Sequence, residues 1–133
     1  MSDDESEPVR SYYLHVSGPS FSPMAASLRC AVPFESRQEP GAPRTTGPHR
    51  GKPSTFGRGY LVGPSHAFTP PGLVLAFLEL VERLKPILEE LGADDMTIHY
   101  DVKYRGQCNM EWSSDELRAL ARIGIPFTVS CWC

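Results

Sequence analysis

Gln107-Cys-Asn-Met-Glu-Trp-Ser-Ser-Asp-Glu-Leu-Arg-Ala-Leu-Ala-Arg-Ile-Gly-Ile-Pro-Phe-Thr-Val-Ser-Cys-Trp-Cys133 is the stretch that decides the fold. Ser113-Ser-Asp-Glu116 matches a capping box, in which the Ser113 hydroxyl accepts from the Glu116 amide and the Glu116 carboxylate accepts from the Ser113 amide. A helix therefore starts at about Ser114. Leu117, Leu120 and Ala121 fall on one helical face and Arg118 and Arg122 on another, and Gly124-Ile-Pro126 supplies a left-handed stop followed by a barrier to continuation. Beyond it Phe127, Val129, Cys131 and Cys133 alternate with Thr128, Ser130 and Trp132, the period of two expected of a strand. The stretch reads strand, helix, strand.

Upstream, Met96, Ile98, Tyr100, Val102 and Tyr104 alternate with Thr97, His99, Asp101 and Lys103, a strand with one apolar and one wet face. Arg105-Gly106 then offers a turn. Gln107–Trp112, with Cys108, Met110 and Trp112 opposite Gln107, Asn109 and Glu111, reads as the returning arm of a β-hairpin. Before these lies the longest helical pattern, opened by Thr69-Pro-Pro-Gly72. Leu73, Phe77, Leu80, Leu84, Ile87, Leu88 and Leu91 mark its buried stripe, and Glu79, Glu82, Arg83, Glu89 and Glu90 its wet side. Pro86 removes a backbone bond, so a bend or break is expected near Arg83–Lys85.

At the other end Tyr12, Leu14 and Val16 alternate with Tyr13, His15 and Ser17 up to Gly18-Pro19, a first strand. Phe21-Ser-Pro23 starts a short helix through Cys30. Met1–Arg10, with Asp3, Asp4, Glu5 and Glu7 and almost nothing apolar, is expected to be a disordered acidic leader, and residues 11–133 one domain. Between them Glu35–Arg58 carries Pro40, Pro43, Pro48 and Pro53 with no apolar period, and is expected to be a long irregular loop, with Gly59–Gly63 at most a brief strand. Strand, helix, loop, long helix, hairpin, helix, strand hides every apolar face in a two-layer α+β architecture, helices on one face of a mostly antiparallel sheet.

Gln107–Trp112, Ser113–Ile125 and Phe127–Trp132, together with Tyr12-Tyr-Leu-His-Val-Ser-Gly18 and Phe21-Ser-Pro23, resemble the closing strand–helix–strand and the opening segment of a bacterial domain-of-unknown-function family, number 4279. The resemblance implies a small stand-alone α+β domain. The family brings no invariant catalytic set to carry over. The Pro/Gly stretch of this chain is longer than the family's middle segment.

The 133 residues suit one domain, and most of the 13 Pro and 11 Gly lie between Pro33 and Gly72. The net charge of −3 points neither to nucleic acid nor to an anionic membrane. From Arg29 to Arg58 six basic residues face two acidic ones, whereas Gly59–Cys133 holds ten acidic against six basic. A basic loop sits on an acidic body. The longest apolar run, Leu73–Leu78, falls far short of the ~20 residues of a membrane span, and no secretory signal opens the chain, so a cytoplasmic location with reduced cysteines is expected.

Neither the Cys30, Cys108, Cys131 and Cys133 spacing nor that of His15, His49, His66 and His99 matches a zinc motif, and no phosphate-cradling glycine motif is present, so no metal or cofactor is expected. His99, Asp101 and Lys103 with Gln107, Asn109 and Glu111 form a polar sheet row, which is more often a solvated face than a catalytic cleft. With no catalytic motif and an acidic body, the resemblance to that bacterial family implies a non-enzymatic protein-binding domain, an immunity protein that neutralises a bacterial toxin, with nucleic acid binding not expected. Its candidate surfaces are the row His99, Asp101, Lys103, Asn109 and Glu111, the acidic rim Glu82, Glu89, Glu90, Asp94 and Asp95, and the loop cations Arg44, Arg50, Lys52 and Arg58. Two alternatives stand beside it: a small-ligand or enzymatic domain with a polar pocket near the sheet, and an assembly module that pairs through an uncharged final strand.

Overall fold

A computed structural model of the chain describes residues 9–66, 71–104 and 110–132. Five strands and three helices follow in the order β1 (Val9–Gly18), α1 (Pro23–Cys30), β2 (Phe34–Gln38), β3 (Gly57–His66), α2 (Pro71–Glu90), β4 (Asp95–Lys103), α3 (Ser114–Ile123) and β5 (Phe127–Trp132). The strands form one sheet in the order β2-β3-β1-β4-β5, antiparallel throughout except for the parallel β4–β5 pair. The first six elements follow the β-α-β-β-α-β succession of split βαβ units, and α3 carries the chain across to a fifth strand. This is the expected two-layer α+β class.

The helices cover one face of the sheet. Leu14 and Val16 from β1, Ile98 and Val102 from β4, and Leu78, Val81 and Leu88 from α2 form the centre of the core. Tyr12, Tyr100, Trp112 and Phe127 extend it under α3 as a chain of tilted, edge and stacked ring contacts with centroids 4.5–6.3 Å apart, and the Trp112 indole N–H donates to the Tyr12 hydroxyl at 3.1 Å. On the other face nothing among the described elements packs.

Local chemistry explains the joins. The capping box forms as the sequence predicts, with Glu116 N–H donating to Ser113 Oγ at 3.1 Å and Ser113 N–H to the Glu116 carboxylate at 2.9 Å. Gly124 ends α3 with φ +69°. At the α2 end Gly92, with φ +99°, brings its carbonyl so close to Gly18 that any Cβ on Gly18 would collide with it. The β1–β3 register shifts at Gly63-Pro64, a bulge where a residue without an N–H is tolerated.

Several expectations need correction. Among the described residues no returning strand pairs with β4, because β1 and β5 occupy its two sides; Met110–Trp112 is outside any strand, and the expected Arg105-Gly106 turn and Gln107–Asn109 lie outside the described residues. Phe34–Gln38 and Gly57–His66 are strands, since Phe34 and Leu61 supply core side chains at the register the short loop pattern concealed. The loop between them is a hydrogen-bonded ribbon rather than irregular chain: Arg44 N–H donates to the Lys52 carbonyl at 2.9 Å, Ser54 N–H to Ala42 at 2.8 Å and Gly41 N–H to Ser54 at 2.9 Å. The Glu39 carboxylate anchors this ribbon to α1, accepting from the Ser22 and Ser36 hydroxyls and from Met24 N–H. Val9 and Arg10 belong to β1, not to the leader, whose Met1–Pro8 lie outside the described residues. α2 runs unbroken through Pro86. The expected α2 stripe holds at Phe77, Leu84 and Leu88, but it also takes in Val74, Leu78 and Val81 and loses Leu73, which is exposed; α3 buries Glu116, Ala119 and Ile123 and half-buries Leu120, while Leu117 and Ala121 are exposed.

Candidate functional site

Among the described residues, aromatic, imidazole and charged side chains converge on the uncovered sheet face. Register places Tyr13 and His15 of β1 between Val62 and Tyr60 of β3 on one side and His99 and Thr97 of β4 on the other. The Tyr13 ring stacks on the His99 imidazole with centroids 4.8 Å apart and meets Tyr60 edge-on at 5.4 Å. His15 lies 5.3 Å from Tyr60 and 6.1 Å from His99. Four rings thus tile the middle of an open sheet, each half-buried only by its neighbours.

Charged groups rim the tiles. At the β2 edge, the bulge at Arg37 turns its guanidinium over the Tyr60 ring at 5.5 Å and into an ion pair with Glu35 at 2.9 Å. At the β5 edge, Lys103 sits over the Trp132 ring at 5.1 Å. Between rings and rim lies a concavity of about 510 Å³, lined by Tyr13, Tyr60, Arg37, Arg58, Glu35 and Asp101 among others. Its size falls in the ordinary range for small-ligand sites.

The environment perturbs two of these groups. Burial raises the Tyr13 hydroxyl above the usual phenol range, and Asp101 adds to this through its charge and through a hydrogen bond with that hydroxyl. Burial also lowers His15 below the ordinary imidazole value; His99 and Arg58 push the same way and Asp95 opposes them. The site therefore favours a neutral phenol and a neutral His15 at pH 7.

Chemistry by hydroxyl activation has a partial counterpart here. Thr128 Oγ1 lies 2.6 Å from His99 Nδ1, the contact that pairs a nucleophile with its base. The orienting acid is engaged elsewhere, because Asp101 is bound to Tyr13 while the His99 ring is held by stacking. Among the described residues no group of three or more His, Cys, Asp or Glu side chains is placed to hold a metal ion. Cys30 is half-buried, with its thiol pushed up by burial, and Cys131 is exposed on β5.

The sequence-predicted candidates separate accordingly. His99, Asp101 and Lys103 come together on the open face. Glu111 is exposed on the segment before α3, away from the row it was expected to join, and Asn109 lies outside the described residues. The acidic rim does not form one patch: Glu82 pairs across to Arg122 of α3 at 3.3 Å, Glu90 to Arg29 of α1 at 3.6 Å, and Asp94 and Asp95 lead into β4. Glu89 is exposed at the end of α2. Of the loop cations, Arg44 lies over Phe56 at 5.3 Å within the ribbon, with Arg50 and Lys52 at its turn, whereas Arg58 belongs to β3 and the open face.

Sequence reasoning missed Tyr60, Arg37, Val62 and Trp132 as members of this face, and it placed Tyr13 and His15 on one side of β1 without giving them neighbours. Alternation gives a side chain's face, but only strand order tells which side chains share it.

No family model matches the chain, and no curated protein or solved structure does either.

Proposed function

We propose that this chain is a non-catalytic protein-binding domain that engages its partner through the open sheet face, and that the partner is a bacterial toxin domain which it neutralises. The observation that carries the binding reading is the tile of Tyr13, Tyr60, His15 and His99 flanked by Arg37 and Trp132, left uncovered by every described helix. Tyr, Trp and Arg are the side chains that dominate binding energy at protein interfaces, because they present large rigid surfaces with polar tips. The toxin reading is supported by resemblance to family 4279 and by the acidic body, which suits a basic partner.

The test is rescue of growth. A toxin domain encoded immediately upstream is expressed with the wild-type chain or with the Tyr13→Ala/Tyr60→Ala variant. The wild type restores growth and the variant, still cooperatively folded, does not. Full rescue by the variant overturns the assignment of the surface; a wild type that neither binds nor rescues, or a gene neighbourhood that is purely metabolic, overturns the toxin reading.

A second reading is favoured by the concavity beside Tyr60. Arg58 and Arg37 at its wall suit a small anionic ligand with a flat ring. A rise in melting temperature with nucleotides or aromatic acids, lost in Arg58→Ala, would support it.

A further inference from the structure

The two ends of the sheet are built differently. The β2 edge carries Glu35 and Arg37, an ion pair and a bulge, devices that prevent a further strand from pairing. The β5 edge carries none of these. Phe127-Thr-Val-Ser-Cys-Trp132 has no charge, no proline and no bulge, and it pairs with β4 in unbroken register.

Which backbone groups face outward follows from the bonds to β4. Ile98 N–H donates to the Pro126 carbonyl at 3.0 Å and Tyr104 N–H to the Trp132 carbonyl at 2.9 Å. Backbone groups alternate sides along a strand, so Thr128, Ser130 and Trp132 direct theirs at β4 while Phe127, Val129 and Cys131 direct theirs away from the sheet. Among the described residues no strand lies beyond β5.

Among the described residues the helical layer is bare at the same margin. Arg122 marks the side of α3 that faces α2, through its bond to Glu82. Leu117 and Leu120 stand about 140° and 160° around the helix from it, on the side away from α2. Leu117 is 54% exposed, Val129 41% and Trp132 52%, which places three of the large exposed apolar side chains at one end of the molecule.

We propose that a second copy of this chain covers this margin, the two β5 strands pairing antiparallel about a two-fold axis through Val129. In that register Val129 pairs with Val129 of the other copy and Phe127 with Cys131. Each pair exchanges both backbone bonds, so every outward group of both strands is satisfied. On the open face Trp132 falls opposite Pro126 of the other copy, an apolar match, and no charged side chain of either strand meets its like. On the helical side the second copy brings its own α3 alongside, which covers Leu117; a lone extended peptide would satisfy the strand and leave that leucine in water. The two five-stranded sheets fuse into one, and the tiled faces described above become continuous. Pairing by β5 does not depend on what the open face binds.

The test uses the full chain across a concentration series by sedimentation velocity, with amide exchange read residue by residue. The wild type should pass from the 14.7 kDa chain to twice that mass as concentration rises. In the associated state the amides of Phe127, Val129 and Cys131 should become slow to exchange, whereas Thr128, Ser130 and Trp132 are slow in both states. Val129→Pro deletes an outward N–H without touching the β4 ladder, and Leu117→Glu alters an exposed helix position; each should raise the dissociation constant about tenfold or more. The proposal is overturned by a chain that stays at 14.7 kDa at every concentration. It is equally overturned by a dimer in which the odd-numbered β5 amides still exchange fast or whose affinity is unchanged in Leu117→Glu. Loss of growth rescue by the Tyr13→Ala/Tyr60→Ala variant leaves this result unaffected, so the two assignments fail separately.

Discussion

Tyr12 and Tyr13 are the same side chain at successive positions of one strand, and the sheet gives them opposite lives. Tyr12 points under α3, packs on Tyr100 at 4.5 Å and accepts the Trp112 indole N–H; burial raises its hydroxyl well above the usual phenol range. Tyr13 points to the bare face, where its ring lies on His99 and its hydroxyl meets Asp101. The first tyrosine spends its polar tip on closing a core. The second leaves an aromatic surface half-open to solvent on a face no described helix covers.

The sharpest way to break this contrast is to truncate one residue on each face of β1. Leu14 is fully buried, so Leu14→Ala should cost about 2–5 kcal/mol in urea unfolding through lost transfer energy and the cavity left behind. Tyr13→Ala should cost only about 1 kcal/mol, the worth of its ring contacts. Equal costs would mean that the open face is a second core covered by something else. Next, Tyr12→Phe removes the acceptor of a half-buried indole N–H and should cost about 1 kcal/mol, the net worth of the hydrogen bond.

The smallest effect is on pH dependence. His15 has its folded value lowered by burial, so the folded state binds fewer protons than the unfolded one in the window below the ordinary imidazole value of about 6.5. Its contribution is fully present above that value and is lost as pH falls through the window toward the lowered folded value. His15→Asn should flatten the slope of stability against pH in that range. A steeper slope in the variant would show that the imidazole is stabilised as its cation instead.

How much of this could be seen beforehand depended on the range of the interactions involved. The α3 cap, the Gly124 stop and the alternation of β1, β4 and β5 are local, and Ser113, Glu116 and Gly124 declare them within a few residues. β2 was hidden because Phe34-Glu-Ser-Arg-Gln38 shows one core side chain and a bulge, and its strand character comes from pairing with β3. The supposed hairpin failed for a related reason. Met110 and Trp112 are apolar at strand spacing, but the place beside β4 goes to β5, whose parallel return over α3 brings Phe127 against Tyr100 and Trp112. The α2 stripe was legible at Phe77, Leu84 and Leu88, but exposed Leu73 and Leu117 look like core by type, and only packing against the sheet says which flank of the helix is inside. Of the site, His99, Asp101 and Lys103 were legible as one wet row; Tyr60, Arg37 and Trp132 came from strands whose order no local pattern encodes.

The contrast between the faces is tested most directly by amide exchange and side-chain footprinting of the chain alone and mixed with the toxin domain proposed as its partner. Binding through the open face should shield Tyr13, Tyr60, His15 and His99, and leave the α2 margin with Glu82, Glu89 and Glu90 unchanged. Shielding along that margin, with the four rings as accessible in the complex as in the free chain, would contradict it.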